Sequence, residues 1–369
     1  MRSGSATVPI EDLSVSCYRV PTDCPNESDG TFAWQSTTLV VVEARAGGVT
    51  GLGYTYADIA TARLIHGPLA DVARGMDAMA TGGIWHALVA AVRNLGRGGI
   101  ASMAISAVDT ALWELKAKLL DLPLVSLLGA VRNAAPVYGS GGFTSYTTRE
   151  LCDQLARWVS EGIPRVKMKI GRDAQADVER VDAARAAIGN GAELFVDANG
   201  AYGGKLALSQ ARRFAESRVS WFEEPVYYRD LRGLRFVRDR APAGMEISIG
   251  EYGYMPDEFA SILDAGAADV VQADASRCEG FTGFLLVDAL CEAASMPLST
   301  HCAPSLHAHV ACAAKRVRHV EYFHDHVRIE HMLFDGALTP RGGALHPDLT
   351  RPGLGLELKR ADARKFECA

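Results

Sequence analysis

The sequence predicts an α/β fold: a modified (β/α)8, TIM-like barrel with an α+β capping domain formed by the N-terminal region and the C-terminal tail. Three observations lead there. From about residue 136 to residue 321, short apolar runs alternate with amphipathic stretches of ten to sixteen residues, the rhythm of parallel βαβ units. Ahead of that region lie two β-branched runs around a Gly-Gly turn and then a long helical pattern. Behind it the chain breaks into Pro and Gly turns.

Residues 37–56, TTLVVVEARAGGVTGLGYTY, read as two strands joined by Gly47-Gly48. The polar segment before them, 19–35, is punctuated by Pro21, Pro25, Asn26 and Gly30. It is too long for a tight turn and is expected to be either a substrate lid or a disordered surface loop. From 57 to about 129 the pattern is helical: Ile105, Val108, Leu112, Leu115 and Leu119 recur at helical spacing, and Leu122-Pro123 ends the run. Barrel strands are expected at 136–139, 165–170, 194–197, 220–223, 246–250, 269–273, 297–300 and 318–321, with helices at 148–161, 177–188, 205–217 and 280–294 among the connections. No G-x-G-x-x-G follows the first of these strands, which argues against a doubly wound sheet. The tail, with Pro340, Gly342-Gly343, Pro347 and Pro352-Gly353, reads as turns and short strands returning to the N-terminal module. The expected division is a capping domain over 1–130, a barrel over 131–325 and a returning segment over 326–369.

A chain of 369 residues can bury roughly three-quarters of its unfolded surface, so the fold needs no staples. The net charge of −6 argues against nucleic acid as the main partner. The opening MRSGSATVPIEDL contains no apolar leader core, and no apolar run approaches membrane length. The eight cysteines lack C-x-x-C spacing, which fits reduced thiols in a cytoplasmic enzyme; Cys302 is expected to be a small buried filler.

Strand parity locates the charged residues. In Val166-Lys167-Met168-Lys169-Ile170 the apolar set has to face the outer helices, so Lys167 and Lys169 point into the barrel. The same rule turns Asp197, Glu223, His301 and Glu321 inward and leaves Glu224 past its strand end. It does not settle Glu251, which shares the parity of Ile247 and Ile249 and is kept because it follows Gly250 at a strand end. Asp197, Glu223 and Glu251 thus follow three successive strands, 26 and 28 residues apart. Three crowded carboxylates repel unless neutralised, and an all-oxygen donor set selects a hard divalent cation, Mg2+ before Mn2+.

This ordered set resembles the enolase superfamily, in particular its mandelate racemase-like subgroup. The resemblance rests on Lys167-x-Lys169, Asp197, Glu223, Glu251, Asp274, His301 and Glu321, with the helix AISAVDTALWEL at 104–115 and PGLGLEL at 352–358. It implies Mg2+ on Asp197, Glu223 and Glu251, and Lys169 as a base on one face of the substrate, tuned by Lys167. It further implies His301 as acid or base on the opposite face, oriented by Asp274, and Glu321 hydrogen-bonded to the substrate carboxylate. A homo-oligomer is also implied.

The shared step would be removal of a proton α to a carboxylate, from a carbon acid so weak that the enediolate needs preorganised positive charge. Lys or His bases with Mg2+ are the general pattern given for enolase-superfamily sites. Lys169 has to be neutral to act, and Lys167 with the metal is expected to lower its pKa. Three outcomes then compete: dehydration of an aldonate or aldarate to a 2-keto-3-deoxy acid, racemisation or epimerisation, and cycloisomerisation. The polar lid favours dehydration of a small-molecule acid sugar. A non-catalytic metal- or ligand-binding barrel is the remaining reading. His307, His309, His324 and His326 are expected to be surface or core residues.

Overall fold

The computed structural model describes residues 7–24 and 26–368. Residues 1–6 of the opening segment, Pro25 of the expected lid and Ala369 lie outside the described residues. Five strands open the chain: β1 (Asp12–Pro21), β2 (Glu27–Ser28), β3 (Ala33–Trp34), β4 (Ser36–Ala46) and β5 (Val49–Tyr56). β4 and β5 are the expected pair around Gly47-Gly48, and β1 completes an antiparallel sheet in the order β1-β4-β5. β1 escaped the sequence reading because Tyr18 and Arg19 interrupt its alternation, and its last residues were assigned to the loop.

The helix Ile100–Leu119 lies across this sheet. Glycine on β5 allows that approach. A Cβ at Gly51 would meet the Ala111 carbonyl oxygen at 2.3 Å, and one at Gly53 the Ala107 oxygen at 2.2 Å. Backbone therefore packs on backbone, and the cap keeps its own core, including Leu13, Val40, Val42, Ile105, Val108 and Leu112.

The barrel comprises β6 (Ala135–Gly141), β7 (Arg165–Lys169), β8 (Glu193–Asp197), β9 (Val219–Glu223), β10 (Glu246–Ile249), β11 (Val270–Ala273), β12 (Leu298–Thr300) and β13 (Val320–Phe323). All eight strand expectations fall on these elements. Sequential neighbours pair in parallel from β6 to β12, and β13 returns to pair with β6. The seam between β12 and β13 is joined by fewer bonds, among them Thr300 N–H to the His319 oxygen at 3.2 Å. Expected helices appear at Thr148–Ser160, Ala174–Ile188, Gly204–Glu216 and Gly280–Ala293. Thr147 starts the first with a reciprocal capping box to Glu150, and the Asp173 side chain caps the second.

Parity holds on β7, β8 and β9. Val166, Met168, Ile170, Leu194, Val196 and Phe222 pack outward under the helices. The interior is divided by depth. Below, Tyr138, Phe195, Trp221 and Val270 form a separate buried cluster, with the His319 ring 5.0 Å from Tyr138 and 5.4 Å from Trp221. Burying each of the larger side chains stabilises the fold by about 2–3 kcal/mol and closes the floor to water. Above that floor the inward positions are charged.

The tail returns as expected. Phe334–Asp335 pairs with Glu357–Leu358, Ala344–Leu345 adds to β6, and Cys368 donates its N–H to the Cys17 oxygen at 2.9 Å. The expected boundary at 325 falls inside the helix His324–Leu333. All eight cysteines are unpaired, and among the described residues no helix is long and apolar enough to cross a membrane.

His319 makes the barrel floor sensitive to acid. Burial, then Arg318, Arg165 and Lys167, push its imidazole down to about 3. The unfolded chain takes up this proton below about pH 6.5 while the folded chain resists it, so stability is present above that value and is lost as pH falls toward 3. Urea unfolding at pH 7.5 and 4.5 should show a loss on the order of 2 kcal/mol that His319→Gln reduces. An equal loss in both proteins would remove His319 as the cause.

Candidate active site

Strand register assembles the site. Lys169 sits opposite Asp197, and Asp197 opposite Glu223, so three charged residues line up across β7, β8 and β9. Lys167 lies one inward position deeper and is fully enclosed. Its Nζ is 2.7 Å from both Glu223 oxygens, 2.8 Å from Glu321 Oε1 and 3.7 Å from Asp197 Oδ2. Trp221 Nε1 adds a hydrogen bond of 3.0 Å to Glu223 from the floor. Lys169, nearer the opening, is paired with Asp197.

Glu251 joins Asp197 and Glu223 because the chain breaks its pleat at Gly250. That glycine has φ of +132°, and a Cβ there would meet the Gln272 carbonyl oxygen at 2.2 Å. Ile247 and Ile249 face outward as parity requires, yet Glu251 ends with one oxygen within 4.8 Å of ligand oxygens from both Asp197 and Glu223. Its Oε2 has no hydrogen-bond partner among the described residues.

These donors fit a hard divalent cation. Asp197, Glu223, Glu251 and Glu321 carry four negative charges when ionised, against two on Lys167 and Lys169. One divalent ion cancels the difference, and the three clustered acids offer only oxygen. Without such an ion burial drives Glu223 well above the usual carboxylate range, with Asp197 adding to the rise. Glu224 rises similarly, by burial and then by Glu251, Asp197 and Glu223.

Lys169 differs from expectation. Burial opposes its charge, but Asp197 overrides it and, with Glu251 and Glu223, raises the ammonium above the usual lysine range despite Lys167. The cause is the surplus of nearby carboxylate, which only a cation or protons can offset.

Across the cavity, His301 Nδ1 is 2.8 Å from Asp274 Oδ2, while Nε2 faces Glu251 at 3.6 Å and Glu321 at 3.9 Å. Asp274 is held further by the Ser276 amide and hydroxyl, both at 2.7 Å. Burial works against its negative charge, but His301 and His307 outweigh it and keep the carboxyl well below the usual range. Glu321 accepts from Lys167 and, at 2.8 Å, from the Cys302 amide. Burial likewise opposes its ionisation, yet Lys167 keeps it ionised. In that state it cannot donate a hydrogen bond to a substrate carboxylate.

Several residues were missed. Glu224, read only as lying past the strand, is buried at φ +38° with Oε1 unpartnered. Cys302 is buried but is more than filler: its amide holds Glu321 and its Sγ lies 3.3 Å from His301 Nε2. Arg277 packs against Tyr252 and donates to the Glu251 carbonyl at 2.9 Å. His326 stacks on Tyr56, with ring centroids 3.4 Å apart, and faces the cavity. Asn199, in the V-D-A-N-G run, is the one with a local signal: it follows Asp197 by two residues in a turn, with φ of +46°.

The expected lid covers the site. Residues 22–24 and 26–35 flank and form the β2–β3 hairpin; Thr144 donates to the Ser28 and Asp29 carbonyls, and Trp34 Nε1 reaches Asp325 at 3.0 Å. At Gly30 a Cβ would meet the Ile170 oxygen at 2.5 Å and the Ala198 oxygen at 2.7 Å. The cavity, about 390 Å³ and open to solvent, runs from Lys169, His301 and Glu251 to Phe32, Trp34 and Tyr56. Part of the segment's polarity holds the lid itself, as Asp29 Oδ1 accepts from the Thr31 and Phe32 amides.

Comparison with known proteins matches this arrangement. Residues 15–129 match the mandelate racemase/muconate lactonizing enzyme N-terminal domain, and residues 150–363 the enolase C-terminal domain-like family. The chain belongs to the mandelate racemase-like group of the enolase superfamily. It is 34% identical over 357 residues to 3,6-anhydro-alpha-L-galactonate cycloisomerase of Streptomyces coelicolor, covering 95% of this chain and 97% of that one. It is 30% identical to L-talarate/galactarate dehydratase of Salmonella typhimurium over 88% of this chain and 82% of the relative. A crystal structure of that dehydratase with Mg and L-lyxarohydroxamate superimposes with a TM-score of 0.91 at 27% identity, covering 100% of this chain and 95% of that one. A mandelate racemase/muconate lactonizing enzyme-like protein from Rubrobacter xylanophilus is 52% identical, with a TM-score of 0.96 over 98% of this chain and 100% of that one.

The donor set carries a direct test. Asp197→Asn, Glu223→Gln and Glu251→Gln should each weaken Mg2+ binding at this cluster by at least about tenfold in calorimetric titration, while circular dichroism stays native. Unchanged affinity in any one variant would strike that residue from the ligands.

Proposed function

We propose that this protein removes the proton α to the carboxylate of a polyhydroxylated mono-acid and expels the β-oxygen, the reaction of an acid-sugar dehydratase. The observation carrying this reading is the placement of two proton-transfer groups, Lys169 and the Asp274-paired His301, on the cavity beside a triad of carboxylates. Asp197, Glu223 and Glu251 would hold a divalent cation, Mg2+, which would supply Lewis-acid stabilisation of carboxylate charge and offset the carboxylate surplus beside Lys169.

Lys169, once neutral, takes the α-proton at Nζ. Lys167 stays charged between Glu223 and Glu321 and stabilises negative charge without exchanging its proton. His301 has Nδ1 committed to Asp274, so Nε2 is the atom that carries a proton to the departing oxygen. Glu321 orients Lys167 and meets the substrate carboxylate only when it holds a proton itself. The lid aromatics Phe32 and Trp34 border the cavity opposite the reacting groups.

The far wall supports a substrate with one carboxylate. Lys169 and Arg277 are the cations bordering the cavity, and both lie against the carboxylates of the reacting end. The lid end presents Ser36, Thr37 and Thr38 beside Asp29 and Asp58, which suits hydroxyls and repels a second carboxylate. An aldonate fits this wall better than an aldarate. Similarity to a cycloisomerase over nearly the whole chain favours a second reading within the same chemistry, in which the expelled β-oxygen belongs to a ring and opening it replaces loss of water. The unpaired cysteines are compatible with a cytoplasmic location.

Incubation with Mg2+ and a panel of aldonates, aldarates and anhydro-aldonates in D2O tests the proposal. A 2-keto-3-deoxy acid should form, with kcat/KM for the best mono-acid at least about tenfold above any di-acid. α-Exchange or epimerisation without a keto acid would overturn elimination. Lys169→Met should lower kcat by about a thousandfold or more on substrates of one α-configuration, and Asp274→Asn by a comparable factor, with the fold intact. Near-normal turnover of Lys169→Met on every substrate would remove Lys169 from the mechanism.

A further inference from the structure

A second group of metal-type donors lies where the lid meets the last barrel strand. Asp23 and Glu27 come from the lid; His324 and Asp325 immediately follow β13. Each offers one donor atom, and these atoms all lie within 4.8 Å of one another. Asp23 Oδ2 already approaches His324 Nε2 at 2.9 Å. Glu27 has no solvent exposure, and neither of its carboxylate oxygens has a hydrogen-bond partner among the described residues. Asp325 Oδ1 likewise has no hydrogen-bond partner among the described residues, while Oδ2 accepts from Trp34.

A buried carboxylate with both oxygens unused demands compensation, by a proton or by a cation. The Arg328 guanidinium stands 3.8 Å from Asp325 Oδ1 and donates to the Pro21 carbonyl. Without a bound ion, burial and then Asp325 push the Glu27 carboxyl up to about 10. Three carboxylates and one imidazole form a donor set for a divalent transition ion, and the imidazole separates it from the all-oxygen triad.

We infer that Asp23, Glu27, His324 and Asp325 form a second divalent-cation site, of the Mn2+ or Zn2+ type, that fastens the lid to the barrel. Two of its ligands travel with the lid and two stay with the barrel, so occupancy favours the closed arrangement. Asp325 transmits this to the cavity, since its other oxygen holds Trp34. The site is separate from the Asp197, Glu223 and Glu251 triad and does not depend on which reaction is catalysed there.

Chelator-treated protein titrated with Mn2+ at pH 7.5, with bound ion counted by electron paramagnetic resonance, tests this directly. The wild type should bind two Mn2+ per chain. Glu27→Gln and His324→Ala should each bind one, with affinity at the triad unchanged within about twofold, whereas Asp197→Asn should lose the other ion. Mn2+ should also slow amide hydrogen exchange across residues 26–35 in the wild type and in Asp197→Asn, but not in Glu27→Gln. Binding of a single Mn2+ that Asp197→Asn abolishes, or two ions retained in both Glu27→Gln and His324→Ala, would overturn the inference. His324, partly exposed at the surface, keeps the test open if the buried Glu27→Gln change impairs folding.

Discussion

Lys167 sits with its ammonium between Glu223 and Glu321 and beneath Asp197, with no exposure to solvent. Burying so much charge costs far more than an ordinary core residue returns, and it is tolerable only when every charge has a partner at hydrogen-bonding distance. That requirement ties the rest of the barrel to it. Adjacent strands have to hold Lys169, Asp197 and Glu223 in one register, because a slip of one residue would turn each toward the helices. The aromatic floor of Tyr138, Phe195 and Trp221 seals the interior from below and leaves the charges accessible from one side only.

The same burial prepares the chemistry. Two lysines do not match the carboxylates around them, and the remaining imbalance has the size and donor type of one hard divalent cation. Lys169 feels this most directly, since Asp197 overrides burial and keeps its ammonium charged. On the opposite wall the Asp274–His301 pair is balanced by Arg277 and by the amides around Asp274. One wall thus carries the uncompensated carboxylate charge while the other is internally paired.

The cap completes a cavity that the barrel leaves open. Its lid approaches the strand ends at Gly30, where any side chain would strike the carbonyls after β7 and β8. It presents aromatic surface beside hydroxyls and carboxylates, so the barrel supplies Lys169, His301 and Glu251 to the cavity and the cap supplies the facing wall. The tail binds this arrangement together by pairing with β6 and by reaching Cys17 of the cap.

The sequence by itself determined the eight barrel strands and the facing of Lys167, Lys169, Asp197, Glu223, His301 and Glu321. A barrel strand has one apolar face and a period of two, so local pattern suffices to orient its side chains. Glu251 lay beyond that rule, because the left-handed Gly250 reverses the alternation and is dictated by close contact with Gln272 on the next strand. Tertiary structure alone decided the places of Arg277, His326, Trp34 and Tyr56 around the cavity. Their positions follow from the docking of lid and cap onto the strand ends, a long-range contact that leaves no local periodicity. It also decided that Glu27 and Asp325, nearly three hundred residues apart in sequence, share one buried pocket. Parity and helical spacing report on a residue's own element; only packing reports on what the element meets.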